Sequence, residues 1–313
     1  MSRRAGATAG QLSPQSSVLS PGAQRPARRP GLFATLRRQK LAVTGGLIVG
    51  FFALVALIGP RVAPYSPTRQ TRDRFQPPYL ATFQPAPTGG VYWLGSDEFG
   101  RDILSRLLHG AGISFQVGVI AVGISGALGV LLGLVSGYRG GWVDGVVSLV
   151  MDIIFAFPTI LLAIAIMAML GSSLVNVMLA IGIVNTPTFM RVVRGSVLAV
   201  RRTAYVEAAS ALGASTPRIL ALHVFPNITA PLIVHASLNF AFAVLAEASL
   251  AFLGLGNKPP SPSWGSMVSS SYGFLQQAPW AALFPGLAIA LTVLGFNLLG
   301  DGLRDALDPR IRT

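Results

Sequence analysis

The sequence predicts an all-α membrane protein of six transmembrane helices with both termini in the cytoplasm. Three observations predict it. Apolar residues dominate, they fall in runs long enough to cross a bilayer, and basic residues collect at alternate ends of those runs. Of 313 residues, 52% are hydrophobic and 11% charged, too little polar surface to coat a water-soluble body of this size. The formal charge of +13 does not point to nucleic acid: two of the 24 basic residues are Lys, and the Arg lie in tails and loops beside apolar runs. The chain has no Cys, which excludes disulfides, thiolate metal sites and cysteine catalysis.

A run of about 20 residues crosses roughly 30 Å of hydrocarbon at ~1.5 Å per residue. Six runs approach that length: residues 41–59, 112–136, 143–170, 174–190, 228–254 and 280–299. Ahead of the first, residues 1–40 form a basic cytoplasmic tail whose Pro, Ser, Gln and Arg content predicts disorder. The 41–59 run follows a leader of 40 residues and ends in Gly59-Pro60-Arg61, which is no small-residue cleavage site. An uncleaved anchor is therefore expected rather than a signal peptide.

Residues 60–111 are extracytoplasmic, Pro-rich and Arg-rich, and are not expected to bury a core. At their end Ile103, Leu104, Leu107 and Leu108 share one helical face, opposite Ser105 and Arg106. This pattern predicts a helix lying in the membrane interface. The second run carries Gly126, Gly129, Gly133 and Gly137, whose four-residue spacings put a strip without side chains on one face and predict close helix packing. The fourth run is short and interrupted by Asn185, Thr186 and Pro187, a break tolerated where other helices cover the backbone.

Both termini inside puts 17 basic residues on the cytoplasmic side and seven outside, the bias that orients membrane proteins. Trp93, Trp142, Trp264 and Trp280 fall at span edges or in loops, where interfacial anchors sit. Two carboxylates fall inside spans, where an ionised group costs about 2.5–3.5 kcal/mol on insertion scales. Asp152 is expected near the cytoplasmic interface, paired with an Arg of a neighbouring segment, with a place on a path through the membrane as the alternative. Glu247 shares a helical stripe with His235 and Asn239, and the stripe either lines a path through the membrane or bonds to other helices.

The longest cytoplasmic connection contains Tyr205-Val206-Glu207-Ala208-Ala209-Ser210-Ala211-Leu212-Gly213-Ala214-Ser215-Thr216-Pro217-Arg218. Residues 204–212 are good helix formers, Gly213 suits the left-handed position past a helix end, and Thr216 with Pro217 suits the cap and first turn of another. A bent pair of helices with small side chains offers a surface for a second protein and a lever to the spans. An ordinary cytoplasmic loop would have the same composition.

Glu207-Ala208-Ala209, Gly213 six residues on and Pro226 nineteen after the Glu resemble the "EAA" loop of binding-protein-dependent ABC importer permeases. His223 and Phe225 stand where Ile and Leu are usual, as in the peptide branch. Three further segments resemble the dipeptide/oligopeptide branch: LGSDEFGRDILSR from Leu94, GNKPPSPSWG from Gly256, and NLLGDGLRDALDPR from Asn297. The N-terminal extension is similar to that of the "C"-type permease.

The resemblance implies a type I ABC importer permease fold, with a core over residues 112–302, a coupling loop within 200–226 and a cytoplasmic tail at 303–313. It implies that Glu207, Ala208, Ala209, Gly213 and Pro226 couple to ATPase subunits. The partners implied are a second homologous permease, two cytoplasmic ABC ATPases that bind ATP and Mg, an extracytoplasmic substrate-binding protein and the lipid bilayer of a bacterial inner membrane. Di- or oligopeptides are the expected cargo, with glutathione or nickel complexes as alternatives within the family. No catalytic, cofactor or metal residue is expected in the chain itself: GxxxxGK[ST], H-E-x-x-H and G-x-S-x-G are all absent. A secondary carrier would show paired broken helices in repeated halves, and the sequence shows no such repeat.

Overall fold

A computed structural model describes residues 39–307, so residues 1–38 of the tail expected over 1–40, and the last residues of the chain, 308–313, lie outside the described part. The described residues form helices α1 (Lys40–Val62), α2 (Tyr79–Thr82), α3 (Ile103–Arg139), α4 (Gly141–Phe155), α5 (Thr159–Leu170) and α6 (Leu174–Arg201). They continue as α7 (Ala204–Ala211), α8 (Thr216–Ile219), α9 (Phe225–Phe252), α10 (Trp264–Ser271) and α11 (Pro279–Leu307). Five helical stretches are long and apolar enough to cross a membrane, and α4 with α5 makes a sixth span if that bent pair is counted as one.

Glycine sets the central contact. A Cβ on Gly133 of α3 would stand 2.6 Å from the Val193 Cβ of α6, and one on Gly137 would stand 3.0 Å from the Val197 Cβ. Gly129 faces Phe189 and Met190 in the same way, so the expected strip is the line along which α3 and α6 touch. Gly126 is only at ordinary distance from Phe189. Around this pair, α9 packs on α3, α6 and α11, and α1 packs on α11 where Gly45 meets the backbone of Leu298 and Leu299. One end of the bundle carries α7 and α8, hereafter the loop end; the other carries residues 63–102 and α10, the cap end.

Four expectations change. The third run, residues 143–170, is two helices meeting at 90°. Pro158 causes the break, since it donates no backbone hydrogen bond and disfavours helix at Phe157 before it. The fourth span, by contrast, is neither short nor interrupted: α6 runs on through Pro187 to Arg201. Thr186 Oγ1 donates to Gly182 O (3.0 Å) and Thr188 Oγ1 to Asn185 O (2.7 Å), so local hydroxyls engage the backbone around the proline.

The interfacial helix is instead the first two turns of α3, and its polar side is buried together with Ile103. Ser105 and Arg106 are 0% and 5% exposed. Arg106 reaches Pro67 O at 3.0 Å and Asp97 at 3.5 Å, while Asp97 also holds Arg101 at 2.6 Å. Residues 63–102 form a folded cap held by these ion pairs at its end and by hydrogen bonds such as Ser96 Oγ to Asp73 O (2.5 Å) and Gln76 N to Ser96 Oγ (2.9 Å), and Ile103 joins it to Met267, Ala278 and Ala281 in an apolar cluster. Asp102 caps α3, its Oδ2 accepting from Ser105 N (2.7 Å) and Ser105 Oγ (2.6 Å). Burial raises the carboxyls of Asp102 and Glu98 above their ordinary ranges.

Trp264, expected as an interfacial anchor, is fully buried. Its Nε1 donates to Leu107 O at 3.0 Å, and its ring meets Phe52 and Phe115 edge-on. It pins the short helix α10 into the bundle.

Candidate coupling site and membrane-embedded polar groups

Helix α7 ends where Gly213 takes φ +80, the left-handed conformation that reverses the chain, and Gly213 N donates to Ser210 O at 3.0 Å. The second helix starts with Thr216 and Pro217 in its first turn, but Ser215 rather than Thr216 stands at the cap. This second helix is not a separate short one. The residues of α8 pass through a π turn, Leu220–Val224, straight into the long span α9. Phe225 N donates to Leu220 O across five residues, and the next residue, Pro226, has no N–H to continue the α pattern. Two residues past the bend at Gly213, the chain is thus continuous helix from Thr216 through the span α9.

The faces of α7 are unequal. Val206 is 2% exposed and packs with Val193, Val197, Ile219 and Val224, with Ala209 set against the same cluster. Glu207, Ala208 and Ala211 are exposed, and Leu212 is 89% exposed. The Glu207-Ala208-Ala209 triplet is thus split: two residues face outward and the third turns in. His223 lies within the same region, its ring 6.5 Å from that of Tyr205.

On the outer side of α4 and α6, the Arg expected beside Asp152 is Arg191 of α6, whose Nη2 donates to Asp152 Oδ1 at 2.7 Å. A second pair was not foreseen from the sequence. Arg194, one turn further along α6, clasps Asp144 with two parallel bonds, Nε to Oδ1 and Nη2 to Oδ2, both 2.6 Å. Ser136 Oγ donates to the same carboxylate. The available signal was two Arg, Arg191 and Arg194, just past the end of one apolar run and two Asp, Asp144 and Asp152, in the first part of another.

The stripe of His235, Asn239 and Glu247 faces inward. Asn239 Nδ2 donates to His235 O at 3.0 Å and lies 2.9 Å from its Nε2, while the His235 ring meets Phe189 edge-on at 4.6 Å. Glu247 is 1% exposed and stands apart from these two, against Ser114 of α3, whose Oγ lies 3.4 Å from Glu247 Oε2. Among the described residues no three His, Asp or Glu side chains gather as metal ligands would.

These features define a multi-pass helical membrane protein with a folded cap at one end and a helical elbow at the other. The elbow and the helices around it match the family described as binding-protein-dependent transport system inner membrane component, over residues 129–313. Residues 32–78 match the N-terminal transmembrane domain of oligopeptide transport permease C. The chain belongs to this family of ABC importer permeases and is a protein of the bacterial inner membrane. It is 47% identical to the dipeptide transport system permease protein DppC of Alkalihalophilus pseudofirmus, over 90% of each chain. It is 44% identical to the di/tripeptide transport system permease protein DppC of Pseudomonas aeruginosa, over 87% of this chain and 89% of the relative. It is also 44% identical to the glutathione transport system permease protein GsiD of Escherichia coli O157:H7, over 88% of both.

Proposed function

We infer that the chain is one of two different permease subunits in an ATP-driven importer of di- or oligopeptides. Two ABC ATPases sit on the cytoplasmic side and hold ATP and Mg, and a binding protein delivers the peptide from outside. The observation that carries this reading is the elbow itself. An exposed surface of Glu207, Ala208, Ala211 and Leu212 is joined through Gly213 and an unbroken helix to the span α9. A partner that moves this surface moves a membrane helix, which is what coupling requires.

The excess of Arg at the loop end supports placing that end in the cytoplasm. The names of the similar permeases support the peptide cargo. A second reading, glutathione, is supported by the 44% identical glutathione permease, and glutathione is itself a tripeptide with charged ends. The stripe of His235, Asn239 and Glu247 serves contacts between helices rather than the path, a reading supported by the burial of Asn239 and Glu247 and by the bond from Asn239 to His235.

The test is reconstitution into lipid vesicles. The chain alone should neither hydrolyse ATP nor move a dipeptide. Joined to its partner permease, ATPases and binding protein, it should do both. Uptake by the chain alone would contradict this function.

A further inference from the structure

Helix α4 is held to α6 at two places whose spacing differs on the two helices. Near the start of α4, Asp144 is clasped by Arg194. Near its end, Arg191 donates to Asp152, and the same guanidinium lies 3.9 Å from the centre of the Phe155 ring. From Asp144 to Phe155 is about 16 Å along α4, whereas from Arg191 to Arg194 is about 4.5 Å along α6, at ~1.5 Å per residue. A helix running beside α6 would need partners spaced as widely as its own residues. Helix α4 therefore crosses α6 steeply and keeps to one level of it.

That level is the loop end of the spans. Asp144 also accepts from Ser136, the last residue of the 112–136 run, and both Arg follow the end of the 174–190 run. The 90° corner then leaves α5 alone to run along α6, with Ala163 and Met167 packed against Val177, Met178 and Ile181.

The side that α4 turns away from the bundle is apolar. Trp142, Val146, Leu149, Val150 and Ile153 are exposed and make one stripe at helical spacing, with Asp144 and the buried Met151 on the opposite side. Trp142, at the start of the stripe, is 80% exposed.

We propose that α4 is an in-plane amphipathic helix whose Trp142 to Ile153 stripe is seated in the boundary between headgroups and acyl chains of the leaflet at the loop end. Lipid is the occupant because the stripe lies where two spans leave the hydrocarbon and begins with an exposed Trp, the residue type that settles at that boundary. Helix α4 has no Lys or Arg of its own. Its attachment therefore comes from apolar burial and the Arg of α6, and the surface fits a leaflet of any headgroup charge.

The experiment measures depth in the assembled transporter, reconstituted in lipid vesicles. Trp142→Cys, Leu149→Cys and Ile153→Cys on α4, and Leu161→Cys and Met169→Cys on α5, each place one thiol at an exposed position of this cysteine-free chain. Each thiol carries a nitroxide whose depth is read from its relaxation by oxygen and by a water-soluble nickel complex. The three α4 labels should share one shallow depth to within about 5 Å, while the two α5 labels should differ by about 12 Å. A steady deepening of about 16 Å from residue 142 to residue 153 would make α4 a spanning helix and overturn the proposal. Labels on α4 shielded from both oxygen and nickel would put protein over the stripe and overturn it equally. Unlabelled protein gives an independent reading. The tryptophan emission that Trp142→Phe removes should be quenched by lipids brominated near the headgroup and spared by lipids brominated at the chain ends; the reverse order would contradict the proposal.

Discussion

Gly133 of α3 lies against Val193 of α6 so closely that a Cβ on the glycine would stand 2.6 Å from the Val193 Cβ. In a bilayer, where lipid tails are as apolar as side chains, this approach of backbones is what holds two helices together. The same α6 residue packs with Val206 of α7, so the central helix pair and the elbow share a cluster.

Gly133→Ala should therefore destabilise the protein. In an open helical position the same change gains about 1 kcal/mol of helix propensity, and Gly123, with nothing within 4 Å of its added Cβ, supplies the control. Overpacking at Gly133 costs about 1–3 kcal/mol and should outweigh that gain. Thermal unfolding in detergent should fall for Gly133→Ala and hold or rise for Gly123→Ala.

Arg194→Lys should be harmful and Arg191→Lys nearly neutral to stability. A lysine cannot reproduce the two parallel bonds that Arg194 makes to Asp144, whereas Arg191 makes one bond to an exposed Asp152. The expected loss for Arg194→Lys is about 1 kcal/mol, because the pair is partly screened. Comparing the unfolding temperatures of the two variants checks this.

Most spans were legible because apolar length is a direct consequence of membrane thickness, and the glycine face of α3 was legible as a close-packing face, though its partner α6 was not. The 90° turn at Pro158 was not, since residues 143–170 read as one long, mainly apolar run and hydropathy is blind to direction. Nor was the cap, whose order comes from ring contacts such as Tyr65–Tyr92, hydrogen bonds such as Ser96 to Asp73 O and the Asp97–Arg101 pair, which join residues scattered along an irregular segment. The elbow's bend was readable from Gly213. Its fusion to α9 was not, because a π turn has no sequence signature apart from the nearby Pro226.

The cap should weaken as pH rises through the range of its buried carboxyls. Burial raises the Asp102 carboxyl, so the folded form holds its proton more tightly than the unfolded chain. Such a group stabilises the fold while protonated and loses that contribution as pH climbs from its ordinary value, about 4, through its folded value. Asp102→Asn keeps the acceptor used by Ser105 and removes the titration. Proteolysis of residues 63–102 between about pH 4 and pH 8 should depend less on pH in the variant than in wild type.

Gly213→Val should uncouple the transporter without preventing insertion. A β-branched side chain at φ +80 is strained by about 1–2 kcal/mol or more, which should straighten or shift the bend. ATP-driven dipeptide uptake should drop by at least ten-fold at normal membrane abundance. Glu207→Lys, which reverses an exposed charge on α7 and strains nothing, should have the same effect through the docking surface alone.

The central claim is that the exposed face of α7 seats an ATPase, and single cysteines placed from Tyr205 to Gly213 in the assembled transporter test it most directly. Ala208→Cys, Ala211→Cys and Leu212→Cys should crosslink to the ATPase, while Val206→Cys, buried against Val193 and Val197, and Ala209→Cys, turned toward the same cluster, should not. No crosslink from any position, or one as strong from Val206 as from Leu212, would contradict it.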